Sequence, residues 1–167
     1  MEAFTGPLVW AFAALLGAVW GSFSYTLALR IASGRFASNP LGALVSRSRC
    51  PSCAGAVPLL ALIPIMGYAL ARGRCAHCGG RVSPFYPLSE ILHAALCVFV
   101  VRHFGFGAYS LVAFMALSFG FAVAVIDIKT LTVPVSLVLS TAVLALYPAV
   151  VFCRRSEEHT SELQSHH

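Results

Sequence analysis

Charged residues are scarce in this sequence. They make up 10% of its 167 residues, whereas soluble globular domains average about 25%. Hydrophobic residues make up 59% of the chain, and the mean hydropathy is +0.84. This composition excludes an ordinary soluble domain and indicates a membrane protein, in which the unit to count is the membrane-spanning segment.

Acidic residues are the rarest charges, since Glu2, Glu90 and Asp127 are the only ones before residue 155. No charge lies between Glu2 and Arg30, and seven arginines then occur from Arg30 to Arg81 with no acid among them. These arginines lie beside long apolar runs, without the aromatic residues that stack on bases, so we expect no nucleic-acid binding. An arginine excess next to spans favours the cytoplasmic side. We therefore expect the loop from Arg30 to Arg81 in the cytoplasm and the N-terminus outside.

A basic cluster is also missing at the N-terminus, which speaks against a cleaved signal peptide. Instead, the apolar run from Ala3 to Leu29, within residues 1–32, predicts a first transmembrane helix. Gly17 and Gly21 form a GxxxG pair in this run, and such a pair indicates close helix packing.

The rest of the chain predicts a loop followed by three further spans. Residues 33–83 form the polar loop, with a short apolar stretch at 54–71 that we interpret as interfacial or re-entrant. The three spans lie within 84–154, at about residues 84–101, 104–126 and 131–153. The predicted fold class is an all-α polytopic membrane helical bundle of about four transmembrane helices with a cytoplasmic loop domain.

The last segment, residues 155–167, differs in composition from everything before it. It reads RSEEHTSELQSHH and holds three glutamates, as many acids as the preceding 154 positions. This string is typical of a translated sequencing adapter, and we exclude it from the fold argument. We therefore expect the natural chain to continue past Arg154.

Four of the six cysteines form two CxxC pairs, Cys50 with Cys53 and Cys75 with Cys78, and 21 residues separate the pairs. Two such turns can hold one zinc ion in a closed four-thiolate site, and such a site is structural, not catalytic. Disulfides and a redox or iron site are the alternatives. Glycines at 55, 79 and 80 favour the tight backbone of such turns. His77 is a possible substitute ligand, although we expect it to be a bystander; Cys97 and Cys153 fit as small apolar residues within spans.

A string of motifs in a fixed order resembles a known family. The motifs are Gly21-Ser22-Phe23, Arg30, Arg47-Ser48-Arg49-Cys50-Pro51-x-Cys53, Ile63-Pro64, Arg72-Gly73-Arg74-Cys75-x-x-Cys78 and Tyr86-Pro87-x-x-Glu90. Over about residues 15–135, this order is similar to the N-terminal region of the type IV prepilin peptidases. These are bifunctional leader peptidases and N-methyltransferases of pilus and type II secretion systems, in the bacterial inner membrane.

The resemblance implies an intramembrane aspartic protease with Asp127 as a catalytic residue. As in the family, Asp127 precedes a proline, Pro134, by seven positions. Two neighbouring carboxylates, one ionised and one protonated, would activate water for attack on the prepilin leader. The second aspartate of the family, in a Gly-x-Gly-Asp motif, has no counterpart here. We therefore expect a truncated and inactive fragment; Tyr25 and Val135 are further departures from the family pattern.

The remaining roles also follow from the resemblance. It implies prepilins or pseudopilins as substrates and S-adenosylmethionine as methyl donor, although no residue here looks like a methyl-donor site. Glu90 could bind substrate, take part in catalysis, pair with a base of the loop or pack as polar glue, and we expect His93 to be its hydrogen-bond neighbour. The alternative function is a non-enzymatic membrane module whose zinc loop docks a cytoplasmic partner.

Overall fold

The computed structural model describes residues 6–131, 135, 138–147 and 149–150. Within these ranges the fold is helical, and β-pairing is limited to two isolated bridges. The long helices are α1 (Pro7–Ala32), α5 (Phe85–Phe104) and α6 (Ala108–Thr130). The loop between the first two contains α2 (Arg35–Ser38), α3 (Pro40–Val45), a 3-10 turn (Leu59–Leu62) and α4 (Met66–Leu70).

Each of the three long helices is long and apolar enough to cross a membrane, which confirms the predicted all-α membrane bundle. The fourth predicted span is described in part, as a shorter apolar helix at Val138–Tyr147. The rest of that span, Cys153, Pro134 and the segment 155–167 lie outside the described residues. The number of spans beyond three therefore stays a prediction.

The ends of the long helices follow the local turn chemistry. Helix α1 begins with Pro7, which fits the first helical turn because the proline nitrogen has no hydrogen to leave unpaired. Helix α5 ends at Phe104 and is followed by Gly105, whose φ of +73° glycine adopts at little cost. Helix α6 therefore begins at Ala108, later than the predicted position 104. It also extends to Thr130, so Asp127 lies inside its last turn.

Helices α1 and α5 touch backbone to backbone at the GxxxG pair. A Cβ on Gly17 would lie 2.4 Å from the carbonyl oxygen of His93, and one on Gly21 would lie 2.6 Å from that of Ser89. Real Cβ contacts are never this short, so no larger residue fits without moving a helix. The close packing predicted from the GxxxG pair is confirmed.

The three long helices run antiparallel in turn, so one end of the bundle collects the functional segments. Near the end of α1, Ala28 packs with Ala122 and Ile126 of α6 in a buried cluster. Asp127 follows Ile126 directly, so it lies at the same end of the bundle as the loop that leaves α1.

Arg30 connects α1 to the loop. Its guanidinium donates hydrogen bonds to the carbonyl oxygens of Ala43 and Ser46, the latter at 2.8 Å. Both carbonyls lie at the C-terminal end of α3, where backbone acceptors lack helical partners and a cation is favoured. The loop is thus attached to the last turn of the first span.

We predict opposite effects for the same substitution at two membrane glycines. Gly17→Ala should lower the free energy of unfolding by about 1–3 kcal/mol, because the new methyl group overpacks the α1–α5 contact. Gly120→Ala is the matched control, since its Cβ would meet nothing nearer than the Thr141 methyl carbon at 3.9 Å. At position 120, the higher helix propensity of alanine should raise the free energy of unfolding by up to about 1 kcal/mol. Unfolding in detergent measures both, and equal shifts would contradict the tight contact.

Candidate metal centre

The first CxxC pair folds into a tight turn closed by backbone hydrogen bonds. The amide of Cys50 donates to the carbonyl of Gly55 at 2.9 Å, and the amide of Ala54 donates to the carbonyl of Cys50 at 2.9 Å. An antiparallel bridge between Arg49 and Ala56 flanks the turn. These bonds leave both thiols on one side of the turn, where they can share a ligand.

The second pair repeats this arrangement with the same spacing. The amide of Cys75 donates to the carbonyl of Gly80 at 2.8 Å, and the amide of Gly79 donates to the carbonyl of Cys75 at 2.9 Å. A bridge between Arg74 and Arg81 takes the place of the first bridge. The chain thus contains two cysteine turns with the same hydrogen-bond pattern, and the two turns face each other.

The four thiol sulfurs lie within 4.8 Å of one another. Two pairs join the two turns, with 3.9 Å between the sulfurs of Cys50 and Cys78 and 4.0 Å between those of Cys53 and Cys75. A tetrahedral zinc site with Zn–S bonds of about 2.3 Å requires sulfur separations of about 3.8 Å. A disulfide requires about 2.05 Å, and all four cysteines are free. The cluster therefore fits a closed four-thiolate metal site.

The charge balance of the cluster also favours a cation. The backbone amides of Cys53 and Ser52 lower the pKa of the Cys50 thiol to about 6. The amide of Gly55 acts in the same direction on Cys53, but desolvation and the neighbouring thiols outweigh it and raise the pKa of Cys53 to about 11. The Cys50 thiolate thus forms readily, whereas ionisation of the neighbouring Cys53 thiol is opposed. A divalent cation removes that opposition, because each ligand thiol binds metal as the thiolate.

His77 lies in the second turn but outside the ligand set. Its Nε2 is 3.1 Å from the carbonyl oxygen of Ala56, which belongs to the first turn. The bystander role stays a prediction, and the contact gives His77 a part in holding the two turns together.

The glycines after the cysteines act differently from the sequence-based expectation. Gly79 has φ of +69°, as a tight turn requires, but in the first turn the equivalent residue is Ala54, with φ of +56°. Gly55 was expected to supply that freedom and does not. Its lack of a side chain serves packing instead, since a Cβ there would lie 3.0 Å from His77 Cδ2 and 3.2 Å from Cys53 Sγ.

Glu90 anchors the loop to the second span. It is 6% exposed, and its Oε2 accepts a hydrogen bond of 2.6 Å from the backbone amide of Ile65. Ile65 has φ of +63° and ψ of −52°, the conformation of a classic γ-turn, which is rare and strained. A buried carboxylate that holds a strained amide has a positioning role. Of the roles considered from sequence, this contact fits polar packing, with a backbone amide as the partner instead of a basic side chain.

His93 was expected to bond Glu90, and that expectation is wrong. Its Nδ1 donates to the carbonyl of Ser89 at 2.8 Å, and its ring makes edge contacts with Phe114 and Phe121. In a helix, the carbonyl oxygen four residues back lies within reach of a histidine ring. His93 therefore bonds the Ser89 carbonyl instead of the Glu90 side chain.

Asp127 is exposed in the last turn of α6. Glu90, by contrast, is buried and engaged by Ile65. The structure therefore brings the four cysteines together and keeps the two carboxylates of the spans in different surroundings. Sequence reasoning missed the Ile65 amide and the carbonyls bound by Arg30, because backbone partners leave no signal in residue types.

Comparison with known proteins adds a family match. The family model described as "Bacterial Peptidase A24 N-terminal domain" matches residues 15–104. A prepilin leader peptidase/N-methyltransferase of Bacillus subtilis is 32% identical over 72% of this chain and 46% of its own length. The protein of the same name from Myxococcus xanthus is 32% identical over 82% of this chain and 39% of its own length. The one from Burkholderia pseudomallei is 36% identical over 57% of this chain and 31% of its own length. The chain thus spans less than half of these relatives. No solved structure matches it significantly.

We predict about one zinc ion per purified chain, held by the four thiols. Cys50→Ser or Cys75→Ser should lose most of this zinc, because a hydroxyl is a poor replacement for a thiolate ligand. Cys97→Ser is the control, since Cys97 lies in α5 away from the cluster. Elemental analysis with thiol titration measures both. Absence of zinc together with oxidised cysteines would identify a disulfide site.

The two equivalent turn positions give a second prediction of opposite sign. Gly79→Ala should weaken zinc binding, because a left-handed conformation costs a non-glycine residue about 1–2 kcal/mol; no atom lies within 4 Å to add a clash. Ala54→Gly should strengthen binding, since it relieves the same cost. Chelator competition should show changes of about fivefold to tenfold or more in opposite directions. Changes in one direction would mean that φ at these positions does not control the site.

Proposed function

The chain belongs to the family of bacterial peptidase A24 N-terminal domains, and on that premise we propose that it is part of a prepilin leader peptidase and N-methyltransferase. The relatives that carry this name support the proposal. The substrates would be prepilins or pseudopilins, proteins assembled by type IV pilus and type II secretion systems. The chain would contribute the loop domain and the first spans of a longer enzyme.

We propose Asp127 as one of two catalytic carboxylates. Its exposed position in the last turn of α6, at the loop end of the bundle, is the observation that carries this role. There a carboxylate can reach both water and a substrate backbone that enters from the membrane surface. As the base, it would take a proton from water while the resulting hydroxide attacks the scissile carbonyl carbon.

The second carboxylate of an aspartic protease must be an acid that donates a proton to the carbonyl oxygen and later supports loss of the amine. Glu90 is a poor candidate, because it is buried and its Oε2 already accepts from Ile65. We therefore propose that the second acid comes from a part of the enzyme outside this chain. The chain alone would then be inactive.

The proposed zinc has a structural role. Four thiolates fill its coordination sphere, so no position remains for substrate or water. The ion would join the two cysteine turns and so fix the loop between α1 and α5. The relatives are named N-methyltransferases, and S-adenosylmethionine would be the methyl donor for the cleaved pilin, as the family resemblance implies. We assign no residue here to that donor.

The proposed location is the bacterial inner membrane, with the loop in the cytoplasm. Seven arginines without an acid from Arg30 to Arg81 support this orientation. Since Asp127 lies at the loop end of the bundle, it would face the same compartment.

A second candidate is a non-enzymatic module in which the loop docks a cytoplasmic protein. Large apolar side chains exposed on the loop, such as Leu41 and Leu60, favour it. In this case Asp127 would have no chemical role. The two candidates differ in whether the charge of Asp127 matters.

The test is leader cleavage by the complete gene product, co-expressed with a prepilin. Asp127→Asn should abolish cleavage, at least a hundredfold, because asparagine keeps the shape but cannot accept the proton. Zinc content and membrane insertion should not change. The matched control is Glu90→Gln, which keeps an oxygen acceptor for Ile65 and should retain partial activity.

Normal cleavage by the Asp127→Asn variant would disprove its catalytic role. If Glu90→Gln were then inactive, the catalytic carboxylate would be Glu90. A complete product that cleaves no prepilin at all would favour the docking module.

A further inference from the structure

A cavity of about 450 Å³ lies between the second cysteine turn and the start of α5. Three arginines, Arg72, Arg74 and Arg81, line it together with Ser83 and Pro84, which directly precede the helix. None of the functions considered so far uses this cavity.

Among the described residues that line this cavity, the three arginines have no carboxylate beside them. Arg74 and Arg81 are opposite residues of the antiparallel bridge, and like charges in that position repel each other. From Arg30 to Arg81 the sequence has no acid. The next acid along the chain is Glu90, whose carboxylate holds Ile65. The cavity therefore concentrates positive charge that an external anion would neutralise.

The position of the cavity decides where that anion comes from. Helix α5 is one of the three membrane-capable helices and begins at Phe85. If α5 spans the bilayer, residues 83–84 lie where the chain enters it, at the depth of the lipid headgroups. Guanidinium groups bind phosphate through paired hydrogen bonds.

The segment that leads into the cavity carries exposed apolar side chains. Leu59, Leu60, Met66 and Leu70 are 69%, 73%, 60% and 71% exposed. Such a cluster is unfavourable in water and fits a surface that meets acyl chains. Leu70 lies two residues before Arg72, so the apolar and basic surfaces are adjacent. Apolar contacts beside a phosphate-binding group match a lipid better than a free phosphate ion.

We propose that the cavity lined by Arg72, Arg74 and Arg81 binds the phosphate of an anionic phospholipid, while the apolar side chains at 59–70 lie among its acyl chains. The bound lipid neutralises the arginine pair and holds the second cysteine turn at the membrane surface. The site does not depend on the peptidase chemistry, so its test is separate from that of Asp127.

The experiment uses the whole chain, purified in neutral detergent and titrated with phosphatidylglycerol or phosphatidylcholine, with bound lipid counted by native mass spectrometry. The wild type should bind one phosphatidylglycerol in preference to phosphatidylcholine. Replacing all three cavity arginines by glutamine should weaken this binding roughly a hundredfold, since each arginine near an anionic surface contributes about fivefold. Arg81→Gln alone should weaken it about fivefold.

The matched control replaces Arg35, Arg47 and Arg49 by glutamine, because these exposed arginines of the same loop lie outside the cavity. It removes the same charge and should change binding less than threefold. Replacing the cavity arginines by lysine should keep only part of the affinity, because lysine retains the charge but not the paired hydrogen bonds of the guanidinium group. Unchanged zinc content would show that the variants fold.

Three results would overturn the proposal. Equal losses in the two glutamine triples would indicate a general surface charge effect. Equal affinity for phosphatidylcholine would exclude an anionic-lipid site. Inorganic phosphate that binds as tightly as phosphatidylglycerol would make free phosphate the ligand.

Discussion

The close approach of α1 and α5 at Gly17 and Gly21 sets the geometry on which the other features depend. A Cβ on either glycine would lie about 2.5 Å from a backbone carbonyl oxygen of α5. So close a contact fixes how far the two helices are displaced along each other. The end of α1 and the start of α5 are then neighbours. The loop that joins them must therefore leave and re-enter the bundle at the same end. The cysteine turns, the Arg30 contacts and the arginine cavity all belong to this closed loop.

Within the loop, three independent attachments restrict the chain. Arg30 binds carbonyls near the end of α3, the two cysteine turns face each other, and Glu90 holds the amide of Ile65. Each attachment joins residues at least 13 positions apart. Closing such loops costs entropy that grows slowly with loop length. A metal bound by the four thiols would close the longest of the three loops, and so would offset the largest entropy cost.

The sequence was informative where residue types carry the chemistry. Long apolar runs predicted the first three spans, paired cysteines predicted the thiol cluster, and two glycines predicted the helix contact. It failed where the backbone is the partner: His93 bonds a carbonyl of its own helix, and Glu90 bonds the amide of Ile65. The strained turn at Ala54 was also not predictable, because alanine gives no sign of a left-handed conformation and the neighbouring Gly55 suggested the wrong residue.

The bond between Glu90 and Ile65 has a consequence for biosynthesis. A carboxylate without a partner costs about 2.5–3.5 kcal/mol at the centre of a membrane helix, and less near a helix end, where Glu90 lies. Ribosomes make residue 65 before residue 90, so the amide is already present when α5 is threaded into the membrane. The order of the chain thus supplies the carboxylate with its partner as α5 inserts. A circularly permuted chain, in which α5 is translated before the loop, would have to insert Glu90 unpaired.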